Sequence, residues 1–321
     1  MRPGSAYDVS QFVTVENGDQ ETEGSLNLMT VSMGPATPIT YVLALFNDFE
    51  EILKIEEVRH KEEDEEEYNI RQLKLMTDSQ FNAIYVAYQK AGLHYEVEYN
   101  GITVLNVLSG GASDGILKPG DQIKEVEGKI IEKAKDLLTS LETKSENDEV
   151  KFVIQRKDKL LDETIVLKEI PNSEGKIGLG ITYSENKKIK TDPKVKVNAK
   201  DIGGPSAGLM FTLEILDQLT EGDLTKGYKI AGTGEMNEDG TVGRIGGVEK
   251  KVVAAHEDEM EIFFVPDDEI TEKMKKANPK IISNYEAALD TAKKINTKMK
   301  IVPVKTIDDA LDYLERLPEK K

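Results

Sequence analysis

The chain of 321 residues contains no cysteine. Disulfides and thiolate metal sites are therefore excluded, and no redox compartment is implied. Histidine is nearly absent: His60, His94 and His256 are scattered without metal-ligand spacing, so no metal site and no cofactor is expected. No apolar run approaches the length that spans a bilayer, and no signal peptide precedes Arg2-Pro-Gly-Ser-Ala-Tyr, so the chain is expected to be soluble by itself. A Gly-x-x-x-x-Gly-Lys-[Ser/Thr] phosphate loop is missing too. Positive charge is in deficit. The formal net charge of −18 argues against nucleic acid as the main partner. The densest acidic run, 56–67, has few neutral oxygen ligands and no glycine turn; it reads as a solvated helix face or loop, not a calcium loop.

What the chain has is 38% hydrophobic and 32% charged residues, the balance of a soluble globular protein long enough for two domains. Its most informative stretch is 201–216, Asp-Ile-Gly-Gly-Pro-Ser-Ala-Gly-Leu-Met-Phe-Thr-Leu-Glu-Ile-Leu. Two glycines and a proline end an extended segment, and Leu209, Leu213 and Leu216 recur at helical spacing, which places Ser206 at a helix start. Pro205 has its φ preset for a first turn, while Gly203 and Gly204 allow a sharp bend. Ser206 is then either an N-cap or a hydroxyl presented beside free N–H groups and a positive dipole end, which suit an oxyanion.

A second stretch spans 232–255. Residues 237–240 carry turn chemistry between two short extended runs, and after Gly246 and Gly247 the residues Val248, Val252 and Ala255 mark another helical face. Lys250 and Lys251 fall in its first turn, where the helix dipole disfavours a cation. That field, with burial, lowers a lysine's pKa, as a general base requires. At an ordinary value of about 10.4, on the order of one lysine in a thousand is neutral near pH 7. Lowering it by about three units takes roughly 4 kcal/mol of differential stabilisation, which an apolar pocket can supply.

Gly-Pro-Ser-Ala-Gly at 204–208, Thr-Gly-Glu at 233–235 and Gly-x-Val-x-x-Ile-Gly-Gly-Val-x-x-Lys at 240–251 resemble the proteolytic domain of Lon-type proteases. The resemblance implies that Ser206 is the nucleophile, Lys251 the general base and Thr233 the threonine that hydrogen-bonds that lysine. Lys250 falls where the family varies and is expected to face solvent. One departure is Gly203, which stands where many Lon proteins carry an acid three positions before the serine; Asp201 lies too early to replace it. A competing arrangement pairs Ser206 with His256 and Asp258. The adjacency of those two residues at a solvent-facing helix end weighs against it.

Elsewhere, 12–15 and 26–31 read as strands joined by a polar turn, and 39–58 as partly helical. Leu73, Met76, Ala83, Ile84, Ala87 and Tyr88 mark an amphipathic helix ending at Gly92, with Met76 and Tyr88 as core. Within 96–170, strands are expected at 97–108, 150–156 and 164–167 and a helix at 133–141. Leu-Lys-Pro-Gly-Asp-Gln-Ile at 117–123 resembles the signature turn of PDZ domains, with Gly120 at the bend and Asp121 capping it. By that resemblance Tyr99, Asn100, Gly101 and Ile102 form the loop that receives a peptide's C-terminal carboxylate, and the peptide adds as a strand along 102–107. The alternative is a β-rich insertion with no ligand. Strands at 177–183, 195–198, 261–266 and 300–304 and helices at 285–295 and 307–317 complete an α/β alternation, with Phe263 and Phe264 as core.

The expected fold is α/β (α+β): a discontinuous Lon-type proteolytic domain, 1–95 and 171–321, with an inserted β-rich PDZ domain at 96–170. The arrangement resembles the membrane-anchored, PDZ-containing Lon-like proteases of Gram-positive bacteria. That implies an anchor ahead of this N-terminus and domains on the extracytoplasmic face of the cell membrane. The implied activity is ATP-independent serine endopeptidase on unfolded or flexible proteins, with the PDZ domain selecting or tethering peptide C-termini and a homo-oligomer expected. The competing readings are a PDZ adaptor on an inactive protease scaffold and another Ser/Lys hydrolase such as an amidase.

Overall fold

The computed structural model describes residues 1–59, 63–171, 173–199 and 202–320. His60, Asp201 and residues 61–62 of the acidic run lie outside them. In chain order the elements are β1 (Arg2–Asp8), β2 (Val13–Val15), β3 (Ser25–Ser32), α1 (Pro38–Ala44), α2 (Ile55–Val58), α3 (Glu65–Ala91), β4 (Tyr95–Val107), β5 (Gln122–Val126), β6 (Lys129–Ile130), α4 (Ala134–Leu141), β7 (Glu149–Arg156), β8 (Lys159–Val166), β9 (Lys168–Glu169), β10 (Ile177–Gly178), β11 (Ile181–Thr191) and β12 (Val195–Val197). There follow α5 (Gly208–Leu219), β13 (Lys229–Gly232), β14 (Glu235–Met236), β15 (Val242–Gly243), α6 (Val248–Glu257), β16 (Ile262–Pro266), α7 (Glu272–Ala277), α8 (Asn284–Lys294), β17 (Lys300–Val304) and α9 (Ile307–Arg316). They form two compact units, one of Met1–Leu53, Met76–Tyr95 and Lys190–Lys321, the other of Lys54–Leu75 and Glu96–Ile189.

The first unit is built on a five-stranded sheet in the order β1-β3-β13-β16-β17, antiparallel at β1/β3 and parallel elsewhere. β16 is buried along its whole length, as a central parallel strand covered on both faces must be. Its neighbouring phenylalanines point opposite ways. Phe263 joins the core with Val252 of α6 and Ala288 of α8, whereas Phe264 meets Tyr313 of α9 edge-on at 5.6 Å. Helix α5 is buried along nearly its whole length, its polar residues Thr212, Glu214, Asp217 and Gln218 included.

The second unit is an antiparallel sheet ordered β11-β4-β5-β7-β8, with β6 paired to β5. Its core gathers Ile102, Val104, Ile123, Phe152, Ile154 and Leu137. Asp121 caps the turn ahead of β5 by accepting the Lys118 N–H at 2.8 Å, and the Arg156 guanidinium grips the same buried carboxylate through Nε at 2.8 Å and Nη2 at 2.6 Å.

The structure differs from the sequence-based expectation in several elements. Residues 2–8, assigned no strand, pair with β3. Strands β2 and β3, consecutive in the chain, are not each other's partners: β2 pairs with β12, and β3 lies between β1 and β13. The short charged helix α7 was not anticipated. Met76 and Tyr88 are buried, while Leu73 is 48% exposed. No helix among the described residues is long and apolar enough to cross a membrane.

Candidate active site

In a parallel sheet the carboxyl ends of the strands open onto a crevice where sites form. Thr233 directly follows β13 at such an end. Its backbone N–H is held by Phe264 O at 3.0 Å. The next residue pairs reciprocally with the start of α5 and the segment just ahead of it: Gly234 N donates to Ser206 O at 2.9 Å, and Leu209 N donates to Gly234 O at 3.1 Å. Ser206 is therefore stitched to the strand that carries Thr233. The bend before it uses Gly204 at φ +84°, a left-handed conformation that a side chain would strain. Gly208 is needed for closeness: a Cβ there would lie 2.7 Å from Met236 N and 2.8 Å from Ser79 Oγ. The helix begins two residues after Ser206, with Ala207 at the N-cap position, so Ser206 sits just ahead of the first turn.

The lysine arrives from α6. Lys251 shares the inward face of that helix with Val248, Val252 and Ala255, all buried, and is itself only 2% exposed. Its Nζ lies 2.7 Å from Ser206 Oγ and 2.8 Å from Thr233 Oγ1. Burial pushes its pKa down from 10.5 to about 7, with no charged neighbour contributing. The structure thus brings Ser206, Thr233 and Lys251 together.

The Thr233 hydroxyl gives the cluster a direction. It donates its single proton to Ser206 O at 3.1 Å, so towards Lys251 it can only accept. Lys251 must spend an N–H on Thr233, and the lone pair of the neutral amine is left for the proton of Ser206 Oγ.

Lys250 corrects an expectation. Its side chain is only 12% exposed, and its ammonium is hydrogen-bonded to the Glu51 carboxylate instead of facing solvent. His256 is exposed at the end of α6, and Asp258 accepts the Ala6 N–H at 2.7 Å, so that carboxylate serves β1. Gly203 is exposed, and no acid occupies its position.

In the second unit, Tyr99, Asn100, Gly101 and Ile102 do not form a loop. They lie within β4; the Gly101 N–H already donates to Glu132 O at 3.1 Å, and Ile102 is fully buried and paired with Ile123. Nor can a peptide add along 102–107, because β4 has β11 on one side and β5 on the other. The sheet has two end strands, β8 and β11. Just ahead of β11 runs Gly178-Leu179-Gly180, in which Leu179 O accepts from Ser113 N at 3.0 Å and Gly180 O from Leu108 N at 2.8 Å. In a trans peptide the N–H points opposite to the preceding C=O, so the amides of Gly180 and Ile181 are both aimed away from those donors. Two glycines flanking an apolar residue just ahead of a strand were the available sequence signal.

Among the described residues no group of acidic or histidine side chains could hold a metal ion. Set against known proteins, residues 90–167 match the PDZ domain family, and residues 177–315 match the family described as Lon protease (S16) C-terminal proteolytic domain. Among curated relatives, the Lon protease of Mycoplasma mobile is 29% identical over 167 residues, covering 45% of this chain and 20% of its own length. That of Trichlorobacter lovleyi is 33% identical over 116 residues, 36% of this chain and 12% of its own. The chain thus spans about a fifth or less of the curated relatives it matches. A crystal structure of the PDZ domain of an SdrC-like protein from Listeria monocytogenes is 28% identical, covering 27% of this chain and 92% of that one, at a TM-score of 0.26. The chain is a mixed α/β protein that carries a PDZ domain and a Lon-type proteolytic domain.

Proposed function

We propose that the chain is a serine endopeptidase working through a Ser206–Lys251 dyad without ATP, and that its PDZ domain selects or tethers substrates by their C-termini. The observation that carries this is the 2.7 Å contact between Ser206 Oγ and a buried lysine whose pKa is lowered to about 7. Neutral Lys251 takes the Ser206 proton as the hydroxyl attacks a peptide carbonyl, then passes it to the leaving amine. Thr233 fixes the lysine's orientation. The backbone amides of Ser206 and Ala207, ahead of the first helical turn, stabilise the oxyanion. ATP independence is carried over from the resemblance to PDZ-containing Lon-like proteases. A peptidase that works without ATP takes unfolded or flexible proteins as substrates.

For the PDZ domain, strand addition requires a free sheet edge, which supports β11 over β4 as the peptide's partner. The outward amides of Gly180 and Ile181 are placed to take a terminal carboxylate. The membrane-anchored, extracytoplasmic setting and the homo-oligomer rest on the family resemblance alone.

The test is cleavage of an unfolded, casein-like protein without ATP by wild type, Ser206→Ala and Lys251→Ala. Cleavage by wild type only is expected. Equal cleavage by Ser206→Ala would refute the dyad, and no cleavage by any of them would favour a binding adaptor.

A further inference from the structure

The oxyanion amides must be held as well as present. A peptide plane is set by whatever grips its carbonyl, because the attached N–H is fixed on the opposite side. The Ala207 N–H shares its plane with Ser206 C=O, which is held by Gly234 N at 2.9 Å and Thr233 Oγ1 at 3.1 Å. The Ser206 N–H shares its plane with Pro205 C=O, and this carbonyl has two donors. One is the local Gly208 N–H, at a long 3.2 Å. The other is Ser79 Oγ, at 2.9 Å.

Ser79 comes from the middle of α3. It is 1% exposed and lies on a stripe with Met76, Ala83 and Val86, all buried. A hydroxyl at such a core position disfavours folding unless it has a partner, and here the partner is the carbonyl just ahead of the nucleophile. One turn later on the same helix, Asn82 Nδ2 donates to Met236 O at 2.8 Å and so pins the strand that follows Thr233 and Gly234.

Building on the peptidase reading above, we propose that Ser79 is a positioning residue of the reaction. Its hydroxyl holds the Pro205–Ser206 peptide so that the Ser206 amide is aimed at the developing oxyanion. Ser79 touches neither the substrate nor the dyad's side chains. Its influence therefore falls on the transition state and leaves ground-state binding and the Lys251 proton unaltered.

The experiment uses the full chain with Ser79→Ala and, as a similarly sized side chain with a weak donor, Ser79→Cys. Kinetics on an unfolded fluorogenic substrate across neutral pH are combined with inhibition by a peptide boronate that adds to Ser206. Removing a whole oxyanion donor costs about 10²–10³ in kcat. A donor that is only loosened should cost about 10- to 100-fold in Ser79→Ala. KM should stay within about twofold, the boronate should weaken in parallel with kcat, and the pH midpoint should stay where wild type has it. Ser79→Cys should fall between, and it carries the test if Ser79→Ala does not fold. Undiminished kcat in either folded variant, or a loss expressed in KM or in the pH midpoint, overturns the proposal while wild type still cleaves. A wild type that neither cleaves nor binds the boronate overturns the peptidase reading, and this inference with it.

Discussion

Replacing Lys251 by methionine should make the protein more stable at neutral pH while abolishing cleavage. Methionine keeps an unbranched chain of similar bulk in the same apolar slot, so little cavity forms. In the unfolded chain the lysine has its ordinary pKa of 10.5, and in the folded state about 7. Between those values the unfolded state holds more protons, so wild-type stability rises with pH through that window. The stability from this group is fully present above 10.5 and is lost as pH falls to about 7, a cost of about 4 kcal/mol at neutrality. Against that, methionine loses the bonds to Ser206 and Thr233, each contributing about 1 kcal/mol. Lys251→Met should therefore be more stable by about 2 kcal/mol at pH 7. The advantage should shrink by about 1.4 kcal/mol per pH unit and vanish near about pH 8.5. Urea unfolding of both proteins at steps from about pH 6.5 to 9.5 measures it. A difference flat across that range would refute the claim that Lys251 is buried in its neutral form.

For the wild type, kcat/KM should climb about tenfold per pH unit below about 7 and level off above it, as Lys251 loses its proton; a midpoint near 10 would contradict a burial-lowered base. Arg156→Met should destabilise the second unit by about 3–5 kcal/mol in chemical denaturation, because the Asp121 carboxylate is left buried and unpaired. Arg156→Lys should recover little, since a point ammonium cannot replace the two-pronged grip. In α5, burial first and then the Asp217 and Asp8 carboxylates push Glu214 up to about 7, against the Gln218 Nε2 bond at 2.7 Å. A raised carboxyl stabilises below its unfolded value of 4.5, and that contribution is lost as pH rises through about 7. Glu214→Gln should then gain up to about 3 kcal/mol above pH 7 and nothing below 4.5, read by thermal melts at both ends.

The first unit's chemistry was legible because its signals are local. Val248, Val252 and Ala255 define a helical face beside which Lys251 must fall, and the Gly-Pro break before Leu209 fixes where Ser206 sits. What escaped depends on distant partners. Lys250 reads as solvent-facing from its variable place in the family pattern, and its carboxylate partner Glu51, 199 positions away in sequence, leaves no local sign. Strand β1 has little alternation of its own and exists because β3 offers it an edge. Tyr99-Asn-Gly-Ile102 carries turn chemistry in Asn-Gly, yet Gly101 uses its φ of +87° as an irregularity inside a strand hydrogen-bonded on both sides. Ser79 was visible only as a polar residue on an apolar stripe, which says that a partner exists but not which one.

Lys251 is tuned by dryness alone, with no counter-ion beside it. Dissolved salt acts by weakening the attraction and repulsion of charges across water, so it has no handle on a base that is set by exclusion of water and works uncharged. Neutral pH and a closed, apolar wall are what this base needs. The hydrolytic step should run at the same speed in dilute buffer and in brine, and any sensitivity to ionic strength would have to enter through capture of the substrate by the strongly acidic surface of the chain.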